Sequence, residues 1–233
     1  MQWDLVWTEG NLTRLFVGDL ARGEPGGLLL TVALSIVCIL VATVLGAAIG
    51  VLGSMRSRIL SGLALAYVGL LRNIPLLILV FWAYFVPPYL GIEISKFISV
   101  AIALSLFTAA YIAEIVRGGI RSVEPGNLQA ARALGLSRFE IWLWVILPQA
   151  FFNMIPAITG RYVTVVKNTS LAFLIGLSDL TEIGKEINDR LMTAPVELYL
   201  TLLLIYFIVN RILSSGMRLL ENRKRFNHLF VRI

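Results

Sequence analysis

Charge is scarce in this chain. Only 15% of its 233 residues are Asp, Glu, Lys or Arg, against 58% apolar, where soluble domains hold about a quarter and about half. That balance excludes an ordinary soluble domain. Cysteine is scarcer still: Cys38 stands alone inside an apolar run, so a disulfide framework or a Cys-based metal site within one chain is ruled out. Cys38 reads as a small buried hydrophobe. The single histidine, His228, lies beyond every apolar run, which excludes a His-based catalytic triad inside a membrane. No G-x-x-x-x-G-K-[ST] phosphate loop occurs, since Gly184-Lys185 is followed by Glu186 without the upstream glycine pattern. Any ATP must be hydrolysed by a partner.

What the chain does have is long apolar runs, at residues 28–51, 60–85, 97–116, 151–177 and 196–212. A helix needs ~20 apolar residues to span the hydrocarbon. The expected class is therefore an all-α integral membrane protein with about five transmembrane helices. The first run follows an acidic, Trp-containing stretch and precedes no small-residue cleavage site, so it reads as a retained span rather than a signal peptide.

Orientation follows from Lys and Arg in the connections. Residues 54–61 hold Arg56 and Arg58, residues 117–150 hold four arginines, and the chain from Arg211 holds six basic residues, whereas 87–96 hold only Lys96 and 178–197 hold two beside five acids. The N-terminus is read as outside, and the 117–150 segment and the tail as cytoplasmic. The expected organisation is an extracytoplasmic segment 1–27, a transmembrane domain 28–220 with a loop at 121–150, and a basic tail 221–233. The net charge of +6 reports topology and contact with anionic lipid headgroups, with no nucleic-acid partner implied.

The loop is the most patterned stretch of the sequence. After the turn cluster Glu124-Pro125-Gly126, Asn127 is placed to cap a short helix over 128–134, and Gly135 stands where helices end in the left-handed conformation. Ser137 and Glu140 form an S-x-x-E capping box, with Leu136 and Ile141 at the staple positions. The pattern predicts helix, tight turn, helix, the second halted or kinked at Pro148. Leu128, Ala131 and Leu134 fall on one stripe, and the small residues Ala130, Ala131 and Ala133 keep the first helix thin enough to enter a groove. An interfacial loop helix is the alternative.

Gln129-Ala130-Ala131, Gly135 and Ile146-Leu147-Pro148 match at the right spacing the EAA loop of ABC-importer permeases, with Gln129 where the family often has Glu. LLRNIPLLILVFW (70–82), AAYIAEIVRGGIRSV (109–123) and VVKNTSLAFLIGLSDL (165–180) extend the likeness over roughly residues 27–220. In order and at these intervals they resemble the polar amino-acid uptake branch, and RNIPL and KNTS are most similar to glutamate/aspartate-type members. The resemblance implies a type I importer permease fold in a bacterial inner membrane. It also implies pairing with a second, identical or homologous permease, an extracytoplasmic substrate-binding protein, ABC ATPase subunits on the cytoplasmic side, and no cofactor or metal. Gln129, Ala130, Ala131, Arg132, Gly135 and Leu136 would carry the ATPase contact.

Ionisable groups at membrane depth are functional hypotheses. Glu114 and Arg117, one turn apart, read as an i,i+3 ion pair. Arg72, before Asn73 and Pro75, marks a kinked second span, and broken helices line substrate sites in transporters; structural and ligand roles both stand. Lys167-Asn168-Thr169-Ser170 places four hydrogen-bonding side chains in an apolar run, where they must face a cavity or another helix. An amino acid could offer its carboxylate to Lys167 and the hydroxyls and its ammonium to Asn168; interhelical hydrogen bonding by Thr169 and Ser170 is the alternative. Arg161 is left open between pore and interface. Phe81, Trp82, Tyr84 and Phe85 read as an interfacial belt, and Gly46, Gly50 and Gly53 as close-packing residues. A non-enzymatic translocation subunit leads these readings. A stand-alone carrier or channel is the other class, disfavoured because no internal repeat is visible.

Overall fold

A computed structural model describes residues 3–20 and 23–229, with side chains as far as Leu219. Among the described residues the regular structure is helical apart from a two-stranded antiparallel ribbon, Gly18–Asp19 (β1) with Glu24–Pro25 (β2). Two short helices, Trp3–Val6 (α1) and Glu9–Val17 (α2), precede it. Among the described residues, four helical stretches are long and apolar enough to cross a membrane: Gly27–Leu52 (α3), Lys96–Arg121 (α6), Arg138–Ile175 and Pro195–Leu219, the last lying within the helix Pro195–Leu229 (α11). The pair Arg58–Asn73 (α4) and Leu76–Tyr89 (α5) makes a fifth, broken candidate. The all-α membrane class and the count of about five follow the apolar runs.

The break between α4 and α5 is sharper than a kink. Ile74 and Pro75 are both extended, at φ −94, ψ 133 and φ −59, ψ 131, because the proline ring excludes the helical conformation for the residue before it. The Asn73 amide donates to the Gly69 carbonyl at 2.8 Å, satisfying an acceptor near the helix end.

Contacts divide the chain into two compact units. The first comprises Met1–Leu40, Pro75–Ser105 and Val163–Arg218. Its core joins the N-terminal helices to Leu180–Leu191 (α10) and the start of α11, through Val6, Leu15, Leu180, Ile187 and Leu198. Polar ties fix the same elements: Arg14 pairs with Glu186 at 2.6 Å, and the Trp7 indole donates to Thr201 Oγ at 3.1 Å. The N-terminal segment is thus packed onto α10 and α11 rather than standing apart.

The second unit comprises Val41–Ile74, Leu106–Tyr162 and the chain from Leu219. Here α3 lies on α6 at the glycines: a Cβ on Gly46 would come within 2.7 Å of the Ala109 carbonyl, and one on Gly50 within 2.6 Å of that of Ala113. Between helices in lipid, where water exclusion supplies no force, close packing of this kind carries the association. Gly53 differs, meeting nothing nearer than 3.4 Å, so the close approach ends a turn earlier than the spacing suggested. The Tyr67 hydroxyl donates to the Leu106 carbonyl at 2.8 Å, and the Thr43 and Tyr162 hydroxyls bond at 2.7 Å. In this unit α3 leaves Val41 and Val44 exposed, a surface suited to lipid or another subunit. The backbone of 221–229 continues α11; its side chains and residues 230–233 lie outside the described residues, as does Arg22.

Candidate functional site

The patterned loop forms a helix–turn–helix, with a different start from the one expected. Its first helix is Pro125–Ala133 (α7), with Glu124 at the N-cap position, making no side-chain cap bond, and Pro125 in the first turn. Asn127 therefore lies within the helix, and its amide donates to the Gln149 side chain at 2.9 Å. Proline's fixed φ, which suits a helix start, outweighs the capping preference of asparagine.

The turn is a complete Schellman motif. Gly135 N–H reaches the Arg132 carbonyl at 3.0 Å and Leu136 N–H the Ala131 carbonyl at 3.2 Å, with Gly135 at φ +77. Ser137 then opens Arg138–Glu140 (α8) with both bonds of the capping box: Glu140 N–H to Ser137 Oγ at 3.3 Å, and Ser137 N–H to the Glu140 carboxylate at 2.7 Å.

Of the two outcomes expected at Pro148, the halt does not occur. Residues Ile141–Ile146 widen into a π-helical stretch, with Leu147 N–H bonding the Trp142 carbonyl, and Leu147–Asn168 (α9) continues from it. The wider turn ahead of the proline accommodates its ring and its missing donor.

Burial sorts the loop residues. Ala131 is buried, with Leu128 and Leu136 packed around the same core as Val123, Ile141 and Ile146. Gln129, Ala130, Arg132 and Gly135 are exposed. Leu134 leaves the expected stripe and is 81% exposed, and Phe139 is 74% exposed. Of these two large apolar side chains beside the turn, Phe139 was not singled out from the sequence, although F-E after a capping serine could have signalled an outward aromatic.

At membrane depth in the same unit, Arg117 grips both carboxylate oxygens of Glu114, the pair expected at i,i+3. Arg72 lies over the Tyr111 ring, 5.1 Å from its centroid, and Arg161 lies over the same ring at 3.9 Å and over Phe107 at 5.2 Å. The Nε and Nη2 of Arg161 are buried with no hydrogen-bond partner among the described residues. Aromatic faces thus compensate this cation, and only the tertiary packing of α6 with α9 reveals it.

In the first unit, Lys167 lies in the last turn of α9, and Thr169–Ile175 tightens into a 3₁₀ turn. Thr169 is wholly buried and its hydroxyl donates to the Val166 carbonyl at 2.8 Å; Ser170 donates to the Lys167 carbonyl at 2.7 Å. Both hydroxyls bond carbonyls at the helix end. Lys167 is exposed and lines a cleft of about 470 Å³ with Tyr206, Asn210, Arg211, Ser214 and Arg218 of α11.

Against known proteins, residues 42–226 match the family described as the binding-protein-dependent transport system inner membrane component. This chain belongs to that family. The permease is 32% identical over 200 residues to the probable glutamine ABC transporter permease protein GlnP of Bacillus subtilis, a match covering 85% of this chain and 92% of that protein. It is 34% identical over 212 residues to the glutamate/aspartate import permease protein GltJ of Escherichia coli K12, covering 85% and 86%. Among solved structures it superposes on a chain of an amino acid ABC transporter with TM-score 0.79 at 29% identity, covering 84% of this chain and 92% of that one. The MetNI methionine transporter, at TM-score 0.73 and 22% identity, shares the fold over 93% of this chain and 98% of that one.

Proposed function

We propose that this permease is the translocation subunit of an ATP-driven importer for polar amino acids, of the acidic type. It pairs with a second, identical or homologous permease, receives substrate from an extracytoplasmic binding protein, and is driven by cytoplasmic ABC ATPase subunits. The observation that carries the reading is the helix–turn–helix at 125–146. Its fold is closed internally by a Schellman turn and a capping box, yet it holds Gln129, Ala130, Arg132, Leu134 and Phe139 outward. A rigid, partly apolar knob on a chain without a phosphate loop is suited to sit in a groove of the subunit that hydrolyses ATP. Ala131 and Leu136 hold the knob from within, and Gly135 sets its turn.

Substrate contact in the first unit falls to Lys167, Asn168 and Ser170, and Arg72 in the second unit is a separate candidate for substrate contact; Thr169, wholly buried, positions the helix end. Lys167 supplies the charge for a carboxylate, and Ser170 offers its oxygen as an acceptor. Similarity to both glutamine and glutamate/aspartate permeases supports a substrate with a short polar side chain.

Reconstitution with the ATPase and binding protein tests this. Vesicles should accumulate glutamate or aspartate only with ATP, and glutamine should compete more weakly. Lys167→Met should lose a charge-assisted contact of roughly 1.5–3 kcal/mol, about a tenfold or greater rise in the half-saturating concentration, with assembly intact. Uptake by the permease alone would instead make it a stand-alone carrier.

A further inference from the structure

The cleft beside Lys167 contains a group that the proposed function does not use. Asn210 is only 8% exposed, and its Nδ2 donates to the Tyr206 carbonyl at 2.7 Å. That bond fixes the amide, because a carbonyl oxygen cannot donate to another carbonyl. Oδ1 is therefore the remaining atom, and it is buried with no partner among the described residues. An orphaned buried acceptor calls for an explanation, and Asn210 is among the residues lining a cleft of about 470 Å³, within the roughly 300–1,000 Å³ of small-molecule sites.

The charge of the cleft is one-sided. Lys167, Arg211 and Arg218 line it, and among the described residues no carboxylate does. On α11 Tyr206, Asn210, Ser214 and Arg218 repeat at i, i+4, i+8 and i+12, so one stripe of the helix carries polar groups through a span otherwise rich in Leu, Ile and Phe. A stripe of this kind must face a cavity or a protein partner.

Resting on the amino-acid importer function, we propose that α11 supplies the specificity half of the substrate site. Asn210 Oδ1 accepts a hydrogen bond from the substrate α-ammonium, Lys167 meets the α-carboxylate, and Arg211 meets the side-chain carboxylate. The three roles follow from chemistry. A free acceptor needs a donor, and the ammonium is the donor every amino acid carries. Lys167 and Arg211, two of the three cations that line the cleft, match the two carboxylates of an acidic amino acid. An amide side chain leaves one cation unpaired, which a site built to bond a charged group rejects.

The test uses the whole complex with its ATPase and binding protein. Arg211→Gln should raise the half-saturating glutamate concentration at least tenfold and shift the glutamate-to-glutamine uptake ratio toward glutamine. Arg211→Lys, which keeps the charge, should hold the wild-type ratio and shows that the fold tolerates change at this position. Asn210→Leu should weaken uptake of both amino acids alike, because both carry the ammonium. If wild type transports amino acids while Arg211→Gln and Asn210→Leu keep its glutamate half-saturation and its ratio, the cleft assignment is wrong and the importer function stands. If wild type moves no amino acid with ATP, the importer function itself has failed. If the variants differ from wild type only as the anionic-lipid fraction of the vesicle changes, the cleft holds a lipid headgroup and the inference is overturned.

Discussion

Asp179 shows how one buried side chain can set a solution property. It caps α10, accepting the Glu182 N–H at 2.9 Å, and is wholly buried beside Tyr206, whose hydroxyl lies 3.5 Å away. Burial pushes its carboxyl from the ordinary 3.8 up to about 7, against the smaller opposing effect of its hydrogen bonds to the Glu182 and Thr181 backbone. The folded chain therefore holds this proton where the unfolded chain has released it. By linkage, the Asp179 contribution to stability is greatest below 3.8, falls as pH rises toward about 7, and is level above that. Asp179→Asn keeps the capping oxygen and mimics the protonated form. Its thermal midpoint in detergent should fall less between pH 5 and pH 8 than that of wild type; equal falls in the two proteins would remove Asp179 as the cause. Nothing in the sequence marked this residue, because D-L-T-E reads as an ordinary helix cap, and only the packing of Tyr206 and Thr31 around it takes it out of water.

The helix–turn–helix is the element in which local rules decided most. Gly135, the capping box and the staple residues were all readable because each depends on neighbours within about six positions. Two features were not. The helix begins at Pro125, ahead of Asn127, and Pro148 is absorbed by a π-helical stretch that depends on how Ile141 and Ile146 dock against Val123 and Ala131. Gly135→Val forces a β-branched residue to φ +77, a strain of about 1–3 kcal/mol. The substitution should misdirect α7 while the spans insert normally, so the ATPase should co-purify at lower yield. Phe139→Asp, at a largely exposed position, should weaken the same attachment without lowering thermal stability. Wild-type yields of bound ATPase from both variants would make the element an interfacial loop helix.

At the scale of the molecule, the arginine asymmetry predicts Arg56 on the cytoplasmic side and Glu93 outside. In a Cys38→Ser background, Ser57→Cys and Ser95→Cys should react with an impermeant thiol reagent from opposite faces, and labelling of both from outside would contradict the five-span arrangement. Packing bears on the same point, because α2 and α10 share one core in the first unit, so residues 9–17 and 180–191 belong to the same side. The sequence by itself determined the membrane class, the apolar runs that supply four to five candidate spans and the turn between α7 and α8, since hydrophobic length and short-range capping are local quantities. Tertiary structure alone decided which polar groups meet across long chain separations. Arg161 and Arg72 share the Tyr111 ring across long chain separations, Asn210 borders the cleft with Lys167 from another helix, and Thr169 turns inward though its neighbour Lys167 is exposed. A charge in an apolar run announces that it must be compensated, but the compensating group comes from whichever helix packs against it, and that is fixed by the shapes of the buried surfaces.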